Sequence, residues 1–344
     1  MIKIQNKAIH SHAPTFIIAE AGVNHGGDME VAKQLVDVAV EAEADAVKFQ
    51  AFRTEHLILK DVEKAPYQQK TTDQAESQFD MLKKLEISLQ QTAALKAYCE
   101  KKGIIFLTTP FDEQSLQELD SLDLAAYKIA STDTTNLPFL KKVAARQKPI
   151  LLSTGMTFLA EITQVLHTLL PLNDQIILLQ CTANYPIDDR EANLNVLHTF
   201  KQHFDVLLGY SDHSVGICAS PYAVAMGAKV IEKHFTLDKT LKGPDHNASL
   251  FPEELKAFVK AIRQVEVYLG SDIKKPTLSE LKTRTTLQKA LVANRAIKQG
   301  ELFTEDNLVA KRTGGVGISP LYFDDLVHRK AHKDFKKDEI IDLP

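Results

Sequence analysis

A chain of 344 residues with 44% hydrophobic and 25% charged side chains has room for one large domain and a small one, and its 14 glycines and 13 prolines exclude a collagen-like or low-complexity chain. A formal net charge of -4 excludes the strongly basic footprint of a nucleic-acid or anionic-membrane binder, so small molecules are the expected partners. Cys99, Cys181 and Cys218 are too few and too scattered for a disulfide framework or a thiolate zinc cluster. With no apolar h-region in MIKIQNKAIHSHAP and no long apolar run, the expectation is a cytoplasmic protein, neither exported nor membrane-spanning.

In chain order, short runs rich in Ile, Val and Leu recur between helix-period segments, the pattern of parallel strands buried on both faces. The predicted strands are residues 16–22, 46–52, 104–111, 125–131, 149–155, 176–182, 206–212 and 229–236. Amphipathic stretches over 29–43 and 89–102 lie between them, and Pro252 is placed to open a last helix over 252–269. Eight strand and helix units fit a (β/α)8 TIM barrel over residues 1–270, with a doubly wound open sheet as the competing arrangement. Residues 271–289 are polar, carry Pro276 and read as a linker. Residues 290–344 hold short β-like pieces between glycine turns, a β-rich unit of only about 55 residues that is marginal by itself and is expected to dock on something.

The C-terminal ends of barrel strands are where chemistry collects, and here each predicted strand ends in reactive groups. Glu20 closes the first; Lys48 and Gln50, Thr109, and Lys128 with Ser131 follow; then come Ser153, Cys181, the Ser211-Asp212-His213 run and the Glu232-Lys233-His234 run. Ionisable side chains inside apolar strands are costly unless paired or used, so the set reads as a site, against a purely structural ion-pair network. Alternation puts Glu232 and His234 on one face and turns Lys233 away. His213 and His234 could share a divalent metal, or could form a hydrogen-bonded pair or proton relay. The lysines, serines and Thr109 offer donors to a small phosphorylated or carboxylated ligand, and no nucleotide-binding glycine fingerprint is present. Cys181 reads as a small buried hydrophobe.

The segments AEAGVNHGG, AVKFQ, YKIAS, STGM, CTANYP, GYSDHSVG and GAKVIEKHFTLDKTLKGPDHNASL together resemble the sialic acid synthase family, and ALVANRAIKQGELFTEDNLVAKRTGGVGISP resembles its C-terminal antifreeze-like (SAF, β-clip) domain. The resemblance implies a transferase that condenses phosphoenolpyruvate with an N-acetylated amino sugar of the N-acetylmannosamine type, with a 2,4-diacetamido-trideoxyhexose as the alternative acceptor. It implies Mn2+ or Mg2+ on His213 and His234, and phosphoenolpyruvate on Lys48, Thr109, Lys128, Ser131 and Ser153. Glu20, Gln50, Tyr185 and Asp245 would address the sugar or the metal-bound water, Glu232 would assist proton transfer, and Glu20, Glu232 and Lys128 make up the expected catalytic set. It also implies a domain-swapped homodimer in which Arg312 enters the neighbouring subunit's site. Three departures stand out. Ala183 replaces an Asn that helps hold phosphoenolpyruvate in some members, which leaves open whether Asn184 substitutes. Thr313 replaces a proline and is expected to loosen its loop. The segment 65–80 is closer to members acting on bacterial deoxy sugars. Two other classes compete: a pyruvate aldolase with Lys128 as Schiff-base nucleophile, and a non-catalytic carbohydrate-binding protein.

Overall fold

The computed structural model describes residues 1–73 and 75–344. It opens with an antiparallel hairpin that the sequence pattern did not signal, β1 (Ile2–Ile4) and β2 (Lys7–Ile9). Each of the eight predicted strands then forms: β3 (Phe16–Gly22), β4 (Ala46–Ala51), β5 (Ile105–Pro110), β6 (Tyr127–Ile129), β7 (Ile150–Ser153), β8 (Ile176–Cys181), β9 (Leu207–Asp212) and β10 (Val230–His234). Several stop one or two residues inside the predicted limits, where the reactive side chains pass into loops. The strands pair in parallel in the order β5-β4-β3-β10-β9-β8-β7-β6, and the end strands β5 and β6 lie side by side. The sheet therefore curls into a nearly closed TIM barrel rather than an open doubly wound sheet.

Strand parity divides inside from outside. Ile17, Ala19, Val47, Phe49, Phe106, Ile150, Leu178 and Ile231 face outward and join the helices in the main core, with Leu35, Leu95, Leu140, Leu166 and Phe258. Phe16, Ile18, Ile105, Leu107, Leu151, Ile177, Leu179 and Val230 face inward at the strand starts, where Ile2, Ile4 and Ile9 of the hairpin pack against them. Lys7 pairs with Asp45, just before β4, at 2.8 Å and fixes the hairpin at that end. The first nine residues thus form the floor of the barrel. Gly209 is required there by space alone: a Cβ would lie 2.3 Å from Leu179 Cδ2 and 2.5 Å from the Val230 carbonyl.

The helices begin and end where their sequences supply caps. Asp28 accepts hydrogen bonds from the N–H groups of Glu30 and Val31 to start the helix Met29–Glu41, and Ser88 with Gln91 forms a capping box for Leu89–Lys102, which ends on left-handed Gly103. Pro252 opens the helix Pro252–Leu269, as its position predicted. Between β4 and Leu89 the chain makes three short helices, Thr54–Leu57, Pro66–Thr71 and Gln78–Lys83. Pro66–Thr71 lies within the segment 65–80 singled out in the sequence and Gln78–Lys83 begins in it; residue 74 of that segment lies outside the described residues. Among the described residues, no helix is long and apolar enough to cross a membrane.

The chain divides into two compact units, Met1–Gly270 and Ser271–Pro344. The stretch 271–289, read as a linker, contains a helix, Leu278–Leu287. Its signal is local: Thr277 accepts from the Glu280 N–H at 3.2 Å and donates its own N–H to the Glu280 carboxylate at 2.8 Å, a capping box with no apolar stripe behind it. The rest of this unit is built on the antiparallel pair β11 (Lys289–Ala293) and β12 (Leu308–Arg312) around a core of Leu291, Ile297, Phe303, Phe335 and Ile341. Arg312 ends β12, exposed. The following residue, Thr313, donates its hydroxyl to the Val316 carbonyl across left-handed Gly314 and Gly315, so this loop is tied where loosening was expected.

Candidate active site

Above the floor, the inward positions turn polar. Glu20 lies beside Lys48 in the β3–β4 register, Gln50 beside Thr109 across β4–β5, and Glu232 beside Ser211 across β10–β9. The result is a chain of alternating charges: Lys48 Nζ is 2.7 Å from Glu20 and 3.6 Å from Glu232, and Lys128 Nζ is 3.3 Å from Glu232. Lys48 also donates to Thr109 Oγ1 at 2.9 Å, and Ser211 to Glu232 at 2.9 Å. All four charged groups are buried. Burial pushes the Glu20 carboxyl up to about 7 against the pull of Lys48. For Glu232, burial is outweighed by Lys128 and Lys48, which hold it at about 2. Burial lowers Lys128 despite Glu232, whereas in Lys48 it is overcome by Glu20 and Glu232, which raise it. Glu232 Oε2, 3.6 Å from Lys48 Nζ, and Ser153 Oγ are buried without a hydrogen bond that satisfies them, so the cluster is under-used by the protein alone.

These groups surround an inner cavity of about 50 Å³ that Gln50, Ser131, Ser153, Tyr185, His213 and His234 also line. Ser131 Oγ accepts from the Gly155 N–H at 2.9 Å. His213 Nδ1 lies 2.8 Å from the Thr182 carbonyl, which can only accept, so Nδ1 carries a proton; burial lowers the ring's pKa, but Cys181 and the Thr182 carbonyl outweigh it and raise the pKa overall. His234 Nδ1 is buried without a partner, and burial with His213 nearby drives its pKa well down, leaving a neutral ring. The two imidazole centroids are 5.4 Å apart, with Tyr185 packed 4.0 Å from His213 and edge-on to His234. Behind them, Lys233 faces outward as alternation predicted and pairs with Asp212 at 3.2 Å, both fully buried. Asp212 also accepts from Ser214 and Ser220.

Two imidazoles converging on one cavity, His234 neutral with an orphaned buried nitrogen and His213 with Nε2 outside its Thr182 hydrogen bond, fit a divalent metal. Among the described residues no cluster of three or more His, Cys, Asp or Glu could hold one, so the remaining positions of such an ion would fall to water and substrate oxygens.

The inner cavity opens into an outer one of about 450 Å³ through the shared residues Gln50, Phe111, Ala130, Ser131 and Tyr185. The outer walls are Val23, Phe52, Leu57, Ile58, Leu82, Met156 and Ala183, with Tyr67, Gln68, Gln78 and Asp245 as polar points. No lysine or arginine is among its described lining residues. Asp245, 4.0 Å from His234 Nδ1, is raised to about 6 by burial.

The sequence pattern of the NeuB family matches residues 35–274, and that of the SAF domain residues 288–344. The chain belongs to the NeuB family. It is 47% identical over 330 residues to the N,N'-diacetyllegionaminic acid synthase of Campylobacter jejuni, across 95% of this chain and 98% of that one. It is 44% identical over 317 residues to the protein of the same name from Legionella pneumophila, across 91% and 89%. The crystal structure of N-acetylneuraminic acid (sialic acid) synthetase from Leptospira borgpetersenii in complex with citrate is similar at a TM-score of 0.73 and 34% identity, covering 83% of this chain and 96% of that chain. This NeuB-family chain is an enzyme, a transferase.

Of the residues that the sequence of this NeuB-family enzyme nominated, eleven line the inner cavity: Glu20, Lys48, Gln50, Thr109, Lys128, Ser131, Ser153, Tyr185, His213, Glu232 and His234. Asp245 lines the outer cavity and Arg312 belongs to the C-terminal unit. Asn184 lines neither cavity; it faces a separate recess with Phe158 and Phe200, while Ala183 occupies the outer wall. Cys181, dismissed as a filler, lines the inner cavity 3.6 Å from Ser131 Oγ. Phe111 and the outer residues Leu57, Gln68, Gln78 and Leu82 were missed, since short helices in a long excursion carry no period that points at a barrel mouth.

Proposed function

We propose that the enzyme condenses phosphoenolpyruvate with a 2,4-diacetamido-2,4,6-trideoxyhexose and water to give N,N'-diacetyllegionaminate and phosphate, ahead of the N-acetylmannosamine reaction expected first. The observation that carries this reading is the pairing of a lysine-bearing inner cavity with a cation-free, largely apolar outer one. The inner cavity suits a small phosphorylated carboxylate, and the outer one suits a deoxygenated neutral sugar. The names of the Campylobacter and Legionella relatives support the same acceptor.

In this reading Lys48, Lys128, Thr109, Ser131 and Ser153 hold the phosphate and carboxylate of phosphoenolpyruvate, and Gln50, Tyr185 and Asp245 orient the sugar. His213 and His234 would hold Mn2+ or Mg2+, which when bound polarises the acceptor's aldehyde oxygen. C3 of phosphoenolpyruvate attacks the aldehyde carbon, water adds at the cationic C2, and phosphate leaves by cleavage of the C–O bond. Glu232, expected to manage protons, is held as a carboxylate by two lysines and instead stabilises the positive charge at C2. Glu20, near 7, is the group suited to move a proton.

Phosphate release with phosphoenolpyruvate and a panel of acceptors tests the proposal. The highest kcat/KM is expected for 2,4-diacetamido-2,4,6-trideoxymannose; a higher value for N-acetylmannosamine or its 6-phosphate would overturn it. The lowered pKa of Lys128 also fits an imine-forming amine. Borohydride with pyruvate should leave Lys128 unmodified, and a trapped adduct there would install the aldolase reading.

The proposal extends to assembly: a homodimer in the cytoplasm in which Arg312 of each tail serves the other subunit's barrel. Mixing His234→Ala chains with Arg312→Ala chains should restore activity, through the first chain's tail and the second chain's barrel. Failure to recover on mixing, with exchange verified, would assign each tail to its own barrel.

A further inference from the structure

Gln68 and Gln78 line the outer cavity but not the inner one, and the same holds for Leu57, Ile58 and Leu82. In the proposed reaction, an acceptor with C1 at the inner cavity would extend its distal carbons into the outer one, toward these residues. The two amides are held in one arrangement. Gln68, 7% exposed, accepts at Oε1 from the Ala65 N–H at 3.0 Å and from Gln78 Nε2 at 2.9 Å. Both lone pairs of that oxygen are then used. Besides the second N–H of Gln78 Nε2, the pair leaves over Gln68 Nε2, a donor with only a 3.4 Å approach to the Tyr67 hydroxyl, and Gln78 Oε1, an acceptor with no protein donor among the described residues.

A spare donor and a spare acceptor on adjacent amides are the complement of a secondary amide, whose N–H and C=O lie on different atoms. A hydroxyl also donates and accepts, but through a single oxygen, whereas the amide meets the two groups with two separate atoms. Leu57, Ile58 and Leu82 provide no hydrogen-bonding group, so a methyl group is buried there at no polar cost, whereas a hydroxymethyl or phosphate loses water without a partner.

We propose that the Gln68–Gln78 pair reads the second, C4 acetamido group of the acceptor and that the Leu57, Ile58 and Leu82 wall reads its terminal methyl. This rests on the diacetamido-trideoxyhexose reading above and assigns its specificity to named side chains. Gln78, half-buried at the first position of its helix, tolerates replacement by Leu without loss of a backbone bond.

The test compares kcat/KM for 2,4-diacetamido-2,4,6-trideoxymannose, for its 6-hydroxy counterpart and for N-acetylmannosamine in wild type, Gln78→Leu and Leu57→Ser. The ratio favouring the diacetamido sugar should fall about 10- to 100-fold in Gln78→Leu, mostly through KM. In Leu57→Ser the ratio between the 6-deoxy sugar and its 6-hydroxy counterpart should fall about 3- to 10-fold. Equal loss on both acceptors in each variant, with the wild-type preference intact, overturns the assignment of these residues. A wild type that prefers N-acetylmannosamine overturns the reading beneath it instead.

Discussion

The two halves of the barrel interior are made by the same strands, with the same inward parity, and have opposite chemistry. On β10, Val230 belongs to the floor while Glu232 and His234 face the inner cavity; on β3 the same step runs from Phe16 and Ile18 to Glu20. The lower half gains stability from burial without polar obligations. The upper half holds four buried charges and several unsatisfied acceptors, an arrangement that costs stability unless a ligand completes it. The difference teaches that one barrel can be at once a packed core and a reaction vessel, divided at about the middle of each strand.

The sharpest way to break the division is at the two histidines proposed to hold the metal. His234→Ala should lower turnover at least about 10³-fold with little change in circular dichroism, and a chelator should silence the wild type until Mn2+ or Mg2+ is restored. Undiminished turnover after rigorous chelation would remove the metal from the reaction.

Stability should separate the halves next. Glu232→Gln leaves Lys128 and Lys48 facing each other with less counter-charge and should cost about 3–5 kcal/mol in urea unfolding. Leu151→Ala, in the floor, should cost about 2–5 kcal/mol by opening a cavity, yet leave phosphoenolpyruvate affinity per folded molecule unchanged. Similar losses of affinity in both variants would mean that the two halves are not independent.

A smaller effect concerns His25, in the loop after β3. Its Nδ1 accepts from the Gly27 N–H at 2.9 Å, so the ring must be neutral, and burial lowers its pKa to about 4. The unfolded chain takes up a proton near pH 6.5 that the folded one refuses until about pH 4, so this contribution is complete above about 6.5 and is lost as pH falls toward 4. The loss should approach about 3 kcal/mol, and His25→Gln should flatten that part of the pH–stability curve. An unchanged slope would show that His25 does not titrate there.

Much of this was legible in the sequence because it is periodic. Eight apolar runs announced the barrel, and period-two alternation alone put Glu232 and His234 inside and Lys233 outside. What escaped has no period to read. IKI and KAI are too short to stand out as strands, although their isoleucines make the floor. The helix Leu278–Leu287 is announced only by its capping box. Much of the outer cavity wall comes from helices of four to six residues, whose roles depend on where a long excursion returns to the mouth. The buried Asp212–Lys233 pair was half visible: alternation gave its direction, but only the folded register supplied its partner.

The hairpin floor also decides how water travels. Ile2, Ile4 and Ile9 make the strand starts apolar, and the described opening of the inner cavity is toward the outer one, which the proposed acceptor would fill. The water consumed at C2 in the proposed condensation therefore has to be in place before the acceptor fills the passage. When one mouth serves both entry and exit, the order in which guests arrive becomes part of the proposed catalytic design.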